Sequence, residues 1–359
     1  MRRLVAAAAL LVSLGCDRGE PSGRHAAPAP RRAIDVHTHF GPAAAARTVA
    51  LMDAHDVATV VNLSGGTPGR GLEEQLAAAA EHPARIVVFA GARWLEVRAG
   101  PGYGERMARD LERAHRLGAR GLKIPKGLGL GVVDATGALV AVDAPELDPL
   151  FVAAGELGMP VAIHTGDPIA FWQAPDARNE RLAELTAHPE WSLYGRAVPS
   201  WEELHAALER RIARHPRTTF IAVHFGNAPE RPARVSELLD RYPNLYIDTA
   251  ARVPEIGRFD ARTMRAFFVA YQDRILFGTD LGVGRAPGDL MLGSTGTVPP
   301  TERDVEHFYA ATWRYFETAD RAFAHPTPIQ GDWTIDGVDL PQGVRDKIYR
   351  TNAERLLGL

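Results

Sequence analysis

Two histidines one residue apart, His37 and His39, close a short apolar run, Ile34-Asp35-Val36-His37-Thr38-His39-Phe40. Alternate side chains of an extended strand share a face, so both imidazoles point the same way where the strand gives out into a loop. Neutral imidazole is the commonest protein ligand for zinc and also suits iron, nickel and copper, so the pair reads as half of a metal site. An H-x-H arises easily by chance, and the rest of the chain must supply the other half.

The elements that could position that other half are legible as apolar runs. Strands are predicted near 33–37, 58–63, 85–90, 119–124, 160–164, 218–224, 244–249 and 274–278, with amphipathic helices at 72–80, 105–117, 147–157, 201–214 and 235–242 between them. Several helices end on stop signals such as Leu117-Gly118 and Leu157-Gly158-Met159-Pro160. Eight alternations with nearly all-apolar strands predict an α/β fold of the (β/α)8 TIM-barrel type, with an open doubly wound sheet as the alternative. No G-x-G-x-x-G follows the first strand, which counts against that alternative.

A barrel of this kind carries its chemistry at the C-terminal ends of its strands. Reactive residues recur there, in Ile163-His164-Thr165-Gly166-Asp167, Val223-His224-Phe225-Gly226-Asn227 and Phe277-Gly278-Thr279-Asp280. With His37 and His39, four histidines and one aspartate surround one mouth. Lys123, Lys126 and Arg93 stand at the ends of the fourth and third strands as candidate anion contacts, and Asp35 is read as structural support. Long excursions follow strand 5 (167–200, with Phe171, Trp172, Trp191 and Tyr194) and strand 8 (281–341, with the aromatic run Trp313-Arg314-Tyr315-Phe316). Both are expected to shape a substrate pocket, their aromatics either lining it or covering the barrel edge.

The motifs D-V-H-T-H-F, G-L-K-I-P, A-I-H-T-G-D, A-V-H-F-G-N, L-F-G-T-D and the terminal N-A-E-R-L-L-G-L resemble the amidohydrolase superfamily. Within it the match is to the amidohydrolase-2 branch, which includes aminocarboxymuconate-semialdehyde decarboxylase and related aromatic-acid decarboxylases. The resemblance runs from about residue 34 to the end of the chain. It implies that His37, His39, His164 and Asp280 bind one divalent metal, usually zinc with manganese as an alternative, and that His224 stands beside it as acid or base. Asp280 could both bind the metal weakly and hydrogen-bond its water. In binuclear superfamily members a carboxylated lysine at the position of Lys123 bridges two metals; a substrate contact or an ion pair are the other readings of this residue. Relatives often dimerise, so a homodimer is expected by analogy.

Composition narrows the partners. The 359 residues are 46% hydrophobic, with 41 Lys plus Arg against 44 Asp plus Glu and a formal net charge of −3, so no nucleic-acid footprint is present and a small-molecule substrate is expected. Met1-Arg2-Arg3 and the apolar run after it read as a secretory signal over residues 1–16, ending in a lipobox-like Ser13-Leu14-Gly15-Cys16. Cys16 is the only cysteine, placed for lipidation. Residues 17–32 read as a flexible tether and 33–359 as the barrel domain, so the expected location is a bacterial cell envelope, with membrane contact only through the lipid anchor. With the resemblance, these readings imply metal-dependent hydrolysis of an amide, ester or lactone bond. The alternatives are non-oxidative decarboxylation of an aromatic or unsaturated acid, and a catalytically inactive lipid-anchored binding protein.

Overall fold

Eight parallel strands follow one another around the sheet of the computed structural model, which describes residues 31–359; the leader, Cys16 and the tether as far as residue 30 lie outside the described residues. The strands are β1 (Ala33–Phe40), β2 (Val57–Asn62), β3 (Ile86–Ala90), β4 (Gly121–Ile124), β5 (Val161–Ile163), β6 (Phe220–Ala222), β7 (Leu245–Asp248) and β8 (Ile275–Leu276). Each pairs in parallel with the next. Helices on the outside join them: α1 (Ala45–Ala54), α2 (Leu72–Ala80), α3 (Tyr103–Leu117), α4 (Asp148–Glu156), α5 (Trp201–Arg214), α6 (Pro232–Arg241) and α7 (Ala261–Ala270). This is the TIM-type α/β barrel that the alternation predicts.

The last strand meets the first through the segment after β8. Val36 N–H donates to Phe277 O and Asp280 N–H to His37 O, both at 2.9 Å, while the buried Asp35 carboxylate accepts from Thr279 N and Thr279 Oγ1. Beyond this seam β9 (Leu281–Val283) runs parallel to β1 and turns back into β10 (Leu290–Leu292). Asp35 is thus the support at the closing seam.

Alternation divides the strands between two apolar layers. Val87 and Phe89 of β3 join Ile34, Val36, Val61, Ala162, Ile221 and Leu276 in the lumen cluster, whereas Ile86, Val88 and Ala90 pack against the helices. Gly121 leaves room for Phe89, whose ring atoms would lie 2.4 Å from a β-carbon at that position. Since Ile34 and Val36 face the lumen, strict alternation would turn His37 and His39 outward. A register shift between Asp35 and Thr38, one extra residue on β1 against β2, reverses the parity and delivers both histidines to the lumen side.

The excursion after β8 differs from a pocket loop along much of its length. Glu302–Glu317 is a sixteen-residue helix, α8, begun by a capping box from Thr301 and Asp304. Its Trp313, Tyr315 and Phe316 are buried in the shell, with Trp313 stacked on Phe277 at 4.7 Å between ring centroids. The aromatic run therefore covers the barrel wall, on a helix whose second half is buried around most of its circumference. Among the described residues no helix is long and apolar enough to cross a membrane.

Candidate functional site

The strand ends converge as the sequence predicts, but not every predicted residue is equally placed. Oδ1 of Asp280 lies 3.5 Å from His37 Nε2 and 3.5 Å from His39 Nε2. Ligand atoms about 2.1 Å from a common centre at tetrahedral angles lie about 3.4 Å apart, so this spacing fits three groups around one cation. Buried His37 Nε2 has no hydrogen-bond partner, which leaves its lone pair free for a metal. These three residues form one ligand-capable set. His164 stands outside it: its buried, unpartnered Nε2 is 3.9 Å from Asp167 Oδ1, and its ring centroid is 4.4 Å from that of His224.

The other nitrogens of the pair are held from behind. His37 Nδ1 is 2.8 Å from Asp248 Oδ2, and His39 Nδ1 is 2.8 Å from Ser64 Oγ. A carboxylate behind Nδ1 makes that nitrogen the donor and leaves Nε2 as the ligand atom. Neither Asp248 nor Ser64 was singled out from the sequence. Asp248 was findable, since it ends β7 as Asp280 follows β8; Ser64 carries no comparable signal.

His224 reaches the mouth through an unusual turn. His224, Phe225, Gly226 and Asn227 have φ of 58°, 58°, 67° and 50°, four successive left-handed residues that begin one residue beyond β6. Gly and Asn adopt this region readily, whereas His and Phe do so at a cost of roughly 1–2 kcal/mol each. Asp248 holds the turn by accepting the His224 N–H at 2.7 Å. His224 Nδ1 lies 3.0 Å from Ala250 O. A carbonyl only accepts, so Nδ1 carries the proton and Nε2 is bare. Gly278 permits the convergence, since a β-carbon there would lie 3.1 Å from His37 Cβ and 3.4 Å from Asp248 Cβ.

Burial keeps the imidazoles neutral. His37, His164 and His224 are pushed well below the ordinary histidine range, chiefly by desolvation, and His39 is lowered to about 3 by desolvation and by the Lys123 charge. Desolvation raises the Asp280 carboxyl to about 7 against the pull of Lys123, whose ammonium is itself lowered to about 8 by burial. Lys123 Nζ is buried without a hydrogen-bond partner, so this lysine belongs to the cluster's electrostatics. Arg93 does not: its Nε pairs with Asp110 at 3.1 Å and its Nη2 donates to Pro68 O, bracing the loops beside a cavity of about 820 Å³ that Lys123 also lines.

A smaller cavity of about 160 Å³ lies over the mouth, bounded by His164, His224, Asp280, Phe171, Trp191 and Arg252. Phe171 and Trp191 come from the excursion after β5, with stacked rings 6.4 Å apart. Trp172 instead donates to Pro199 O, and Tyr194 is exposed. Lys126 is engaged by Asp167 at 3.1 Å and lies over the Trp191 ring.

A family model described as Amidohydrolase matches residues 21–359. No curated protein matches the chain. Among solved structures, 2,6-dihydroxybenzoate decarboxylase complexed with 2,6-dihydroxybenzoate is similar at 18% identity and a TM-score of 0.51, covering 91% of this chain and 99% of that one. A putative amidohydrolase from Staphylococcus aureus gives 18% and 0.52 over 91% and 99%. A dihydroxybenzoic acid decarboxylase from Polaromonas sp. JS666, with bound manganese and the inhibitor 2-nitroresorcinol, gives 17% and 0.51 over 91% and 97%. At these identities the likeness is one of fold. The match across residues 21–359 identifies the chain as a member of the amidohydrolase family, in its amidohydrolase-2 branch, and so as an enzyme of a metal-dependent family.

Proposed function

We propose that the chain hydrolyses an amide, ester or lactone bond of a small molecule at a single divalent metal held by His37, His39 and Asp280, with His164 as a further ligand. The observation that carries this reading is the common 3.5 Å spacing of Asp280 Oδ1 from the two Nε2 atoms. Neutral nitrogen and carboxylate donors suit zinc, with manganese as the alternative. A divalent cation in such a set supplies Lewis acidity toward a carbonyl and lowers the pKa of a water.

The side chains divide the remaining work. No side-chain hydrogen bond engages the Asp280 carboxylate among the described residues, so it is free to take the water's proton and return it to the leaving nitrogen or oxygen as the acyl bond breaks. His224, with Nδ1–H fixed on Ala250 O, presents a bare Nε2 that accepts a hydrogen bond from the substrate or, once protonated, donates one to its oxygen. Phe171 and Trp191 exclude water from one wall of the cavity.

Decarboxylation is the second reading, favoured by the size of the cavity. About 160 Å³ is close to the roughly 150 Å³ apolar cavity known to accept benzene. There the carbon–carboxylate bond breaks, and Asp280 or His224 delivers a proton to the ring carbon. Metal-loaded protein assayed for acid release from small lactones, esters and amides, beside carbon dioxide release from hydroxybenzoates, separates the two. Carbon dioxide without hydrolysis replaces the first reading by the second, and loss of neither activity on metal removal defeats both.

A further inference from the structure

We propose that Arg252 is the residue that recognises the substrate, by binding a carboxylate that is not the group attacked. The proposal rests on the reading that the cavity beside His224 and Asp280 is where the substrate sits, and it adds the chemical class: a small monoanionic carboxylate, about one ring in size.

The guanidinium offers five N–H donors. In Arg252, Nη1 donates to Ala251 O at 3.1 Å and Nη2 to Asn227 Oδ1 at 3.4 Å, while buried Nε has no partner. Three donors of a side chain only 5% exposed are thus left without an acceptor. A buried charge in that condition is costly unless something completes it. The other two buried arginines among the described residues each have a carboxylate within hydrogen-bond reach: Arg181, whose Nε is also unpartnered, has Glu184 and Glu255, and Arg211 has Asp148 besides the carbonyls of Val142 and Ala144.

Among the described residues one carboxylate lies within ion-pair distance of Arg252, Glu255, and at 3.9 Å it is outside hydrogen-bond reach, while Asp167, Glu230 and Asp280 feel its charge from further off. Glu255 is drawn instead against Arg181 Nη2. Arg181 therefore acts as a positioning residue, keeping the Glu255 carboxylate off Arg252 so that the latter's donors stay available to the cavity. The other cation on that wall, Lys126, is already paired with Asp167. A planar carboxylate matches the free edge of a guanidinium, and the stacked Phe171 and Trp191 suit a flat apolar body behind it.

Binding tests this without turnover. Metal-loaded full chain is titrated calorimetrically with benzoate and with its neutral isostere benzamide. Wild type is expected to prefer benzoate by about 10-fold or more, the scale of a charge-assisted hydrogen bond. Arg252→Gln is expected to remove the preference, lowering benzoate affinity more than benzamide affinity with metal content unchanged, and Arg252→Lys to retain part of it. The proposal is overturned if wild type shows no preference. It also falls if the preference survives Arg252→Gln yet vanishes in the His37→Ala, His39→Ala double variant, which would put the carboxylate on the metal. Should Arg252→Gln not fold, an undiminished preference in Arg252→Lys overturns it and a reduced one upholds it. Arg252-dependent benzoate binding in a protein that neither hydrolyses nor decarboxylates would sink the proposed function alone.

Discussion

Nδ1 of His37 and Oδ2 of Asp248 lie 2.8 Å apart with both side chains fully buried, and the other Asp248 oxygen accepts the N–H of His224 at 2.7 Å and of Ala250 at 3.2 Å. One carboxylate at the end of β7 thereby sets the tautomer of a first-strand histidine and anchors the left-handed turn that aims His224. The first and sixth strands are coupled through a residue that need touch neither metal nor substrate.

Asp248→Asn keeps the shape but can present an amide N–H to Nδ1, which favours the wrong tautomer of His37. Metal affinity is expected to fall about 10–100-fold, the usual effect of losing a partner behind a ligand. Competition with a chromophoric chelator measures this, and unchanged affinity would show that Asp248 matters only to the fold.

His224 lies outside the His37, His39, Asp280 set, and the second ligand-capable set, His37, His224 and Asp248, is already closed by the hydrogen bonds of Asp248 to His37 Nδ1 and to the His224 N–H. His224→Gln is therefore expected to keep about one metal per chain while turnover drops by roughly 10²–10⁴. Elemental analysis beside kcat distinguishes this from a ligand: loss of metal in the variant would reassign His224 to the metal.

How far these residues could be read from the sequence depends on what kind of signal each leaves. His164, His224 and Asp280 were visible because apolar runs ended on them, and barrel chemistry sits at strand ends. His37 and His39 do lie together at the mouth, although simple alternation from Val36 would turn them away, since the bulge that restores their direction leaves no mark in one-residue spacing. Asp248 obeyed the strand-end rule and was passed over. Arg181, from the excursion after β5, is brought against Arg252 and Glu255 of the segment after β7, and only a folded chain shows which arginine keeps its carboxylates. For Trp313 to Phe316 the sequence leaves pocket lining and barrel covering both open, and only the packing of the helix on Phe277 decides for the second.

Arg181 is fully buried between Glu184 and Glu255, which lie on short helices after β5 and β7 respectively. Removing one member of a buried ionic group strands its partners, so Arg181→Ala is expected to destabilise by about 3–5 kcal/mol, whereas a triple change to apolar residues of similar volume should recover much of the loss. Urea unfolding midpoints measure both. A loss within about 1 kcal/mol would mean that water reaches the network in solution.

His205 on α5 gives a pH signature separable from the metal. Its ring stacks on Trp201 at 3.8 Å, neither ring nitrogen has a partner, and burial with the Arg234 and Arg231 charges lowers it to about 3. The unfolded chain takes up this proton near pH 6.5 while the folded chain refuses it. The stability contributed is therefore present above pH 6.5 and lost as pH falls from there toward 3, at about 1.4 kcal/mol per pH unit. Between pH 7.5 and 5 wild type should lose about 2 kcal/mol more than His205→Phe, which keeps a ring on Trp201 but has nothing to protonate. The remaining histidines titrate alike in both proteins and cancel in the comparison. Equal losses from urea unfolding at the two pH values would mean that His205 is protonated as readily in the folded barrel as outside it.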